Sequence, residues 1–345
     1  MSNYFENKAI LLTGGAGSIG SEIVRSLLKH NPKVVRLLDI DETGLFNLEQ
    51  ELKSDRIRCF IGDVRDRERL KRAISGVDIV FHAAALKHVP LCEYNPFEAV
   101  KTNVVGSQNI IDVAIEEKIE KFINISTDKA VNPANVMGAT KLLAERLTVS
   151  ANYYAGVREK MPFASVRFGN VFDTRGSVIP VFKKQIKNGE PLTVTDTNMT
   201  RFIMSIPRAV ELVFQATEIA EGGEIFILKM SAVRIGDLAE AMIEELSPIY
   251  NRTTDEIKIK TTGRRAGEKL HEELMTEDEA EIAYENNEMF AVLPQIPEIL
   301  GKLSYHLSDK FTRAERRSYS SKNEVVLTKD EIKTMIKETA IAQID

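Results

Sequence analysis

Cysteine is nearly absent from the 345 residues: only Cys59 and Cys92 occur. Two thiols are too few for a disulfide framework or a Cys-rich zinc site, and no metal is expected. They fit a reducing compartment, where free cysteine acts as a small buried hydrophobe. No apolar run reaches the ~20 residues that span a bilayer. The opening Met1-Ser2-Asn3-Tyr4-Phe5-Glu6-Asn7-Lys8 has no basic stretch followed by an apolar one. No signal peptide is therefore expected, and the expected location is the cytoplasm. Internal repeats and low-complexity tracts are missing too. Nor is there an excess of positive charge: 46 Lys+Arg against 51 Asp+Glu give a net charge of −5. That removes any global electrostatic case for nucleic acid. What remains is 43% hydrophobic and 28% charged, the balance of a soluble globule. The length suits one large α/β unit or two coupled ones.

Short apolar runs alternate with stretches of helical period. Lys8–Leu12 reads as a strand, followed by Ile19, Ile23, Val24, Leu27 and Leu28 at helical spacing and a stop at Asn31-Pro32. Further strands are expected at Val34–Leu38, Ile57–Ile61, Ile79–Phe81, Phe122–Ile125 and Ala164–Phe168. Helices are expected at Pro96–Glu117 and Val136–Ser150. Strands alternating with helices imply right-handed crossovers and a parallel, Rossmann-like doubly wound sheet. After Gly169 the texture changes. Residues 1–168 are expected to form a dinucleotide-binding domain carrying a catalytic segment. Residues 169–345 are expected to form mainly a smaller substrate domain, with some chain returning to the sheet. Near the end, Thr328 and Glu331 have the spacing of a capping box for a terminal helix.

Thr13-Gly14-Gly15-Ala16-Gly17-Ser18-Ile19-Gly20 joins the first strand to the first helix. Glycines at 14, 17 and 20 permit a sharp turn, close approach to a pyrophosphate, and tight packing of helix on strand. The N–H groups around Ser18 and Ile19 face the phosphates. Asp39, nineteen residues after Gly20, ends the second strand where a carboxylate takes the adenosine ribose hydroxyls. It would repel a 2′-phosphate, which favours NAD over NADP. Arg36, just before it, would blunt that preference. Asp63 with Val64, after the third strand, is positioned to reach the adenine amino group. Each of these carboxylates also has a plain alternative role as a turn or cap residue.

The strand Ile123-Asn124-Ile125 runs into Ser126-Thr127-Asp128-Lys129, and Met137 and Lys141 lie one helical turn apart. A strand-end hydroxyl followed by a Tyr-x-x-x-Lys pair is the layout of short-chain dehydrogenases, with methionine here in the tyrosine position. Ser126-Thr127-Asp128-Lys129-Ala130-Val131-Asn132-Pro133 with Met137-Gly138-Ala139-Thr140-Lys141 resembles the inverting UDP-N-acetylglucosamine 4,6-dehydratases. These form an extended short-chain dehydrogenase branch that supplies sugars for surface polysaccharides and glycans. Other segments agree in order: His82 to Pro90, Arg167 to Val171, Thr174 to Val178, Met199 to Phe202, and Gly263 to Glu272. The likeness spans roughly residues 8 to 335. Two departures are Ala266, often proline in the family, and Met137, often tyrosine, although a methionine-bearing subgroup exists.

The resemblance implies a redox-neutral reaction on a UDP-sugar. Lys129 would take the proton from the fifth carbon, and Asp128 would protonate the departing 6-hydroxyl. A lysine acting as base calls for a lowered pKa. Lys141 would hold the nicotinamide ribose, and Thr127 the sugar's 4-hydroxyl. Met137 would pack against sugar or nicotinamide, leaving Asp128 or a water relayed from Lys141 to accept the 4-hydroxyl proton. Ala83, Ala84 and Lys87 belong to the cofactor-side loop, and Lys87 reaches sugar or cofactor. Arg175, Arg201 and Arg265 offer forked donors to the diphosphate. Asn170 would bond phosphate or sugar, and Glu268 would take ribose hydroxyls or orient an arginine. His88 reads as structural, and His271 with Glu272 as an ordinary helix face. A homo-oligomer, hexamer or dimer, is expected. The competing functions are a UDP-sugar 4-epimerase and a non-catalytic NAD or nucleotide-sugar binder; Asp128 and Lys129 argue against both.

Overall fold

The computed structural model describes residues 3–154, 161–265, 267–296 and 311–340. Five-residue apolar segments with both faces covered become the central strands. β1 (Ala9–Thr13) is buried throughout. Its side chains alternate: Ile10 and Leu12 enter one core and Leu11 the other. That is why a run without polar alternation sits stably as a strand between two helical layers. β2 (Val34–Asp39), β3 (Ile57–Ile61), β4 (Ile79–His82), β5 (Lys121–Ile125) and β6 (Phe163–Arg167) follow the expected runs within a residue or two.

The described residues form a ten-stranded sheet. Its order begins β3-β2-β1-β4-β5-β6 and continues to Ile225–Leu228. Every pairing to that point is parallel. Met289–Val292, Ala283–Glu285 and Thr312–Arg313 then extend the edge antiparallel. Strand order reverses at β1, which pairs β2 on one side and β4 on the other. In open α/β sheets ligands bind outside the carboxyl ends of the strands at such a switch point.

The expected helix over 96–117 is interrupted. An α-turn at Pro96–Val100 passes into a π-helical turn at Lys101–Val105 before Gly106–Glu116 resumes. The wide turn buries Asn103. Its side-chain amide donates to Leu86 O and Thr140 Oγ1, and its oxygen accepts from Leu86 N. One side chain thus ties the loop after β4 to the helix Val136–Tyr154.

The later half also builds smaller sheets. Thr200–Met204 lies between Ser231–Arg234 and Asn170–Val171, and Leu192–Val194 pairs with Ile259–Thr261. A second core, including Phe182, Leu192, Met242 and Ile336, lies beneath them. The terminal helix Lys329–Ala340 starts from the expected box: Thr328 N donates to Glu331 Oε2, and Glu331 N donates to Thr328 Oγ1.

Candidate active site

At the switch point the chain turns from β1 into the helix Ser18–Leu28. Gly14 has φ of +72°, and a Cβ there would meet Ala84 N at 2.7 Å and the Ala83 carbonyl carbon at 2.8 Å. A Cβ on Gly20 would drive into the Gly14 carbonyl oxygen. Gly17 caps the helix without any side-chain bond, which leaves the first-turn N–H groups to a ligand. Asp39 sits beside this turn, accepting from Ala16 N at 2.9 Å and from Asp41 N at 3.0 Å. The cradle fits a dinucleotide diphosphate, with Ser18, Ile19 and Gly20 in its first helical turn and Asp39 at the ribose edge. Asp63 is held by Arg65, while Val64 is buried with its carbonyl accepting from Asn109. Arg36 is turned away: its guanidinium donates to Ala73 O and Ser75 O. The expected weakening of the Asp39 preference by Arg36 therefore has no geometric support.

β5 delivers the catalytic segment. Thr127 caps a single 3₁₀ turn, Asp128–Ala130, and its hydroxyl donates to Asp128 Oδ1 at 2.7 Å. Lys129 Nζ donates to the same oxygen at 2.9 Å. Asp128 is wholly buried, and its second carboxylate oxygen has no partner among the described residues. Lys129 is the more open of the two. Burial alone pulls its pKa down, but Asp128 and Glu272 outweigh burial and raise it. This reverses the expectation of a lowered value: the two carboxylates hold Lys129 as a cation.

On the helix Val136–Tyr154, Lys141 donates to Ile125 O at 2.6 Å. Burial lowers its pKa to about 8, opposed by Glu145 one turn on. Glu145 in turn accepts from Ser126 Oγ at 2.5 Å and pairs with fully buried Arg167, which also reaches Glu279. Met137 departs from expectation. It is 3% exposed and packs with Cys92 and Ala99, flanked by Val89 and Val136. An apolar thioether fills this apolar niche, and it is not among the residues lining the cavity beside Lys129.

That cavity, of about 360 Å³, opens between the catalytic segment and the later half. Lys129, Lys87, Asn170, Arg201, Arg265 and Glu268 all line it. Arg201 is fixed by Thr200 O, Lys269 O and Leu270 O. Glu268 accepts from Thr195 Oγ1 and from Arg265 N, and lies 3.6 Å from Arg201. Asn170 Oδ1 and Ser177 Oγ are buried at the wall without partners among the described residues. Polar atoms buried unpaired are costly unless a ligand satisfies them.

Arg175 falls elsewhere, although it was expected at the diphosphate. Its backbone N donates to Ser18 Oγ at 2.9 Å, its carbonyl accepts from Lys87 Nζ at 2.7 Å, and its exposed guanidinium lies 3.5 Å from Asp41. It straps the glycine turn rather than lining the cavity. His88 does line the cavity. His271 and Glu272 are not on a helix face. They lie in an extended segment entering the strand Glu273–Met275, with His271 against Thr200 Oγ1. Glu272 points into the cavity beside Lys129 and Arg201. Sequence reasoning missed it because nothing local marks it. Its role comes from a non-local packing of Glu273–Met275 against the turn at Asp128. Ala266 lies outside the described residues.

A family model described as polysaccharide biosynthesis protein matches residues 10–294. The chain belongs to that family. A Methanocaldococcus jannaschii member named an uncharacterized membrane protein is 60% identical over 98% of both chains. Among the described residues here, no helix is long and apolar enough to cross a membrane. A Campylobacter jejuni member, named UDP-N-acetylglucosamine 4,6-dehydratase (inverting), is 42% identical over 92% of this chain and 94% of its own. The X-ray structure of Pen from Bacillus thuringiensis superimposes with a TM-score of 0.89 at 43% identity, covering 97% of this chain and 99% of that one.

Proposed function

We propose that the protein is a UDP-N-acetylglucosamine 4,6-dehydratase that yields a 4-keto-6-deoxy sugar inverted at the fifth carbon, for polysaccharide or glycan biosynthesis. The observation that carries this reading is the pairing of Lys129 with buried Asp128 at the wall of a cavity whose other walls present Lys87, Arg201 and Arg265. That is an acid/base pair beside a site for a diphosphate. The 42% identical Campylobacter jejuni dehydratase supports it. Residues 1–168 then hold the dinucleotide and residues 169–345 mainly the nucleotide sugar.

A bound dinucleotide would supply the hydride chemistry, as acceptor of a hydride from the sugar's fourth carbon and donor of it to the sixth. Gly14, Gly17, Ser18, Ile19 and Gly20 receive its diphosphate, with Ala83 and Ala84 at the turn's far wall. Asp39 takes ribose hydroxyls, with Asp63 and Val64 toward the base. Asp39 repels a 2′-phosphate, which favours NAD over NADP. Lys141, poised near pH 8, holds the nicotinamide ribose. Thr127 orients the sugar's 4-hydroxyl, Lys129 removes the 5-proton, and Asp128 delivers a proton to the 6-oxygen. Arg201 and Arg265 take the diphosphate, Asn170 and Lys87 steady the sugar, and Glu268 orients Arg201. A 4-epimerase has no use for an elimination pair, which disfavours that reading.

Leu91, Tyr94 and Phe97 stand exposed on neighbouring short helices, apolar surface that a second copy could cover in a dimer or hexamer. A nucleotide-sugar substrate and two free cysteines go with the cytoplasm. Incubation with UDP-N-acetylglucosamine, followed by NMR, tests the function. A 4-keto-6-deoxy product is expected. A 4-epimer, or unchanged substrate, would refute it.

A further inference from the structure

The reaction read above leaves a difficulty at Lys129. A base must be neutral, yet Asp128 and Glu272 keep this ammonium charged. Its proton needs somewhere to go. Asp128 is committed to the leaving oxygen and must itself carry a proton when it acts. The other group within reach is Glu272. Its Oε1 lies 3.9 Å from Lys129 Nζ and 3.7 Å from Arg201 Nε, while its Oε2 is buried with no partner among the described residues. The side chain is 5% exposed. The charged groups facing it are Lys129 and Asp128 from the turn after β5, Arg201 from the strand Thr200–Met204, and Lys269 from its own segment.

Resting on the dehydratase reading, we propose that Glu272 is a third proton-handling residue of the site: it accepts the Lys129 proton once the nucleotide sugar is bound. The balance is simple. The Lys129 ammonium passes one proton to the Glu272 carboxylate, leaving a neutral amine and a neutral carboxylic acid. The amine then takes the proton from the fifth carbon, becoming an ammonium again. The C–H electron pair enters the bond between the fifth and sixth carbons as the C–O bond at the sixth carbon breaks. The departing hydroxyl takes from Asp128 the proton that this carboxylate accepted from the 4-hydroxyl during hydride transfer, and leaves as water.

Three features favour the transfer. Burial raises the pKa of Glu272, against the pull of Lys129. Asp128, once protonated, no longer stabilises the Lys129 cation. Arg201 lies beside the same Glu272 oxygen and lines the sugar cavity. When Arg201 shares its charge with a diphosphate, Glu272 loses part of a stabilising cation and binds a proton more readily. Substrate binding is thereby coupled to arming of the base, and Lys129 stays charged in the empty site.

The test is Glu272→Gln, with Glu272→Asp beside it, in the full-length protein loaded with cofactor. UDP affinity by calorimetry and melting temperature should stay close to wild type. Exchange of the sugar's 5-hydrogen in D₂O, followed by NMR, and product formation should each fall by at least about a hundredfold, the lower end for a positioned proton-transfer group. Glu272→Asp should recover part of that loss. The simple electrostatic alternative has the opposite sign. If Glu272 only keeps Lys129 charged, the glutamine lowers the lysine pKa and speeds exchange at neutral pH. Faster or unchanged exchange overturns the proposal. So does loss of UDP binding in step with exchange, which would mark a clamp residue. Wild-type protein that forms no keto sugar would instead overturn the dehydratase reading itself.

Discussion

Replacing Met137 separates packing from chemistry. The side chain is 3% exposed, in a small cluster with Cys92 and Ala99 that is distinct from the main cores. Met→Ala at such a site costs about 2–5 kcal/mol, from lost transfer energy plus the cavity left behind. Unfolding entropy near 2.1 cal/mol/K per residue gives about 0.7 kcal/mol/K for 345 residues, so the melting temperature should drop by about 3–7 °C. Turnover should remain measurable, because a thioether exchanges no proton. Met137→Tyr tests the reverse. The added ring volume overpacks the niche at about 1–3 kcal/mol, and the hydroxyl enters a cluster of apolar side chains. Turnover should be unchanged or lower. The assay is NMR of product from UDP-N-acetylglucosamine, paired with thermal melts of each variant. A rise of about a hundredfold in the tyrosine variant, the lower range for restoring a general base, would refute this reasoning.

Lys129→Ala should abolish dehydration while UDP binding by calorimetry survives; near-normal product formation would remove Lys129 from the mechanism. Cofactor-stripped protein should bind NAD more tightly than NADP by calorimetry, because Asp39 sits beside the glycine turn at the end of β2; equal or tighter NADP binding would contradict the role given to Asp39. The Lys141 pKa is lowered from 10.5 to about 8, so between those values the unfolded chain holds more protons than the folded one. Stability to urea should therefore rise with pH from about 8 to 10, and this slope should weaken in Lys141→Met.

The parts of this protein legible from sequence are those decided locally. The glycine turn, Asp39 at a strand end and the Asp128-Lys129 pair depend on neighbours within a few residues, and each sits where the spacing put it. The strands were legible because burial on both faces removes polar residues from them. What was not legible depends on non-local packing. Glu272 meets Lys129 only because Glu273–Met275 packs beside the turn at Asp128. Arg175 looked like a diphosphate ligand by motif, but the loop that carries it folds over Ser18. The π-helical turn at Lys101–Val105 leaves the apolar spacing of a helix nearly intact, so periodicity could not reveal the break. Arg167, which opens one of the segments that resemble the family, is a buried tie between Glu145 and Glu279.

The strap formed by Arg175 has a consequence for traffic. Its amide is tied to Ser18 and its carbonyl to Lys87, so a segment from the later half closes over the turn that cradles the diphosphate. An oxidoreductase that releases spent cofactor each cycle would have to break both bonds on every turnover. A dehydratase that restores its cofactor within the cycle has no such need. On the proposed dehydratase reading, the closed strap would let one dinucleotide stay through many turnovers while sugars entered and left by the cavity beside Lys129. The protein would then answer to the supply of its sugar and be indifferent to the cell's ratio of oxidised to reduced nicotinamide.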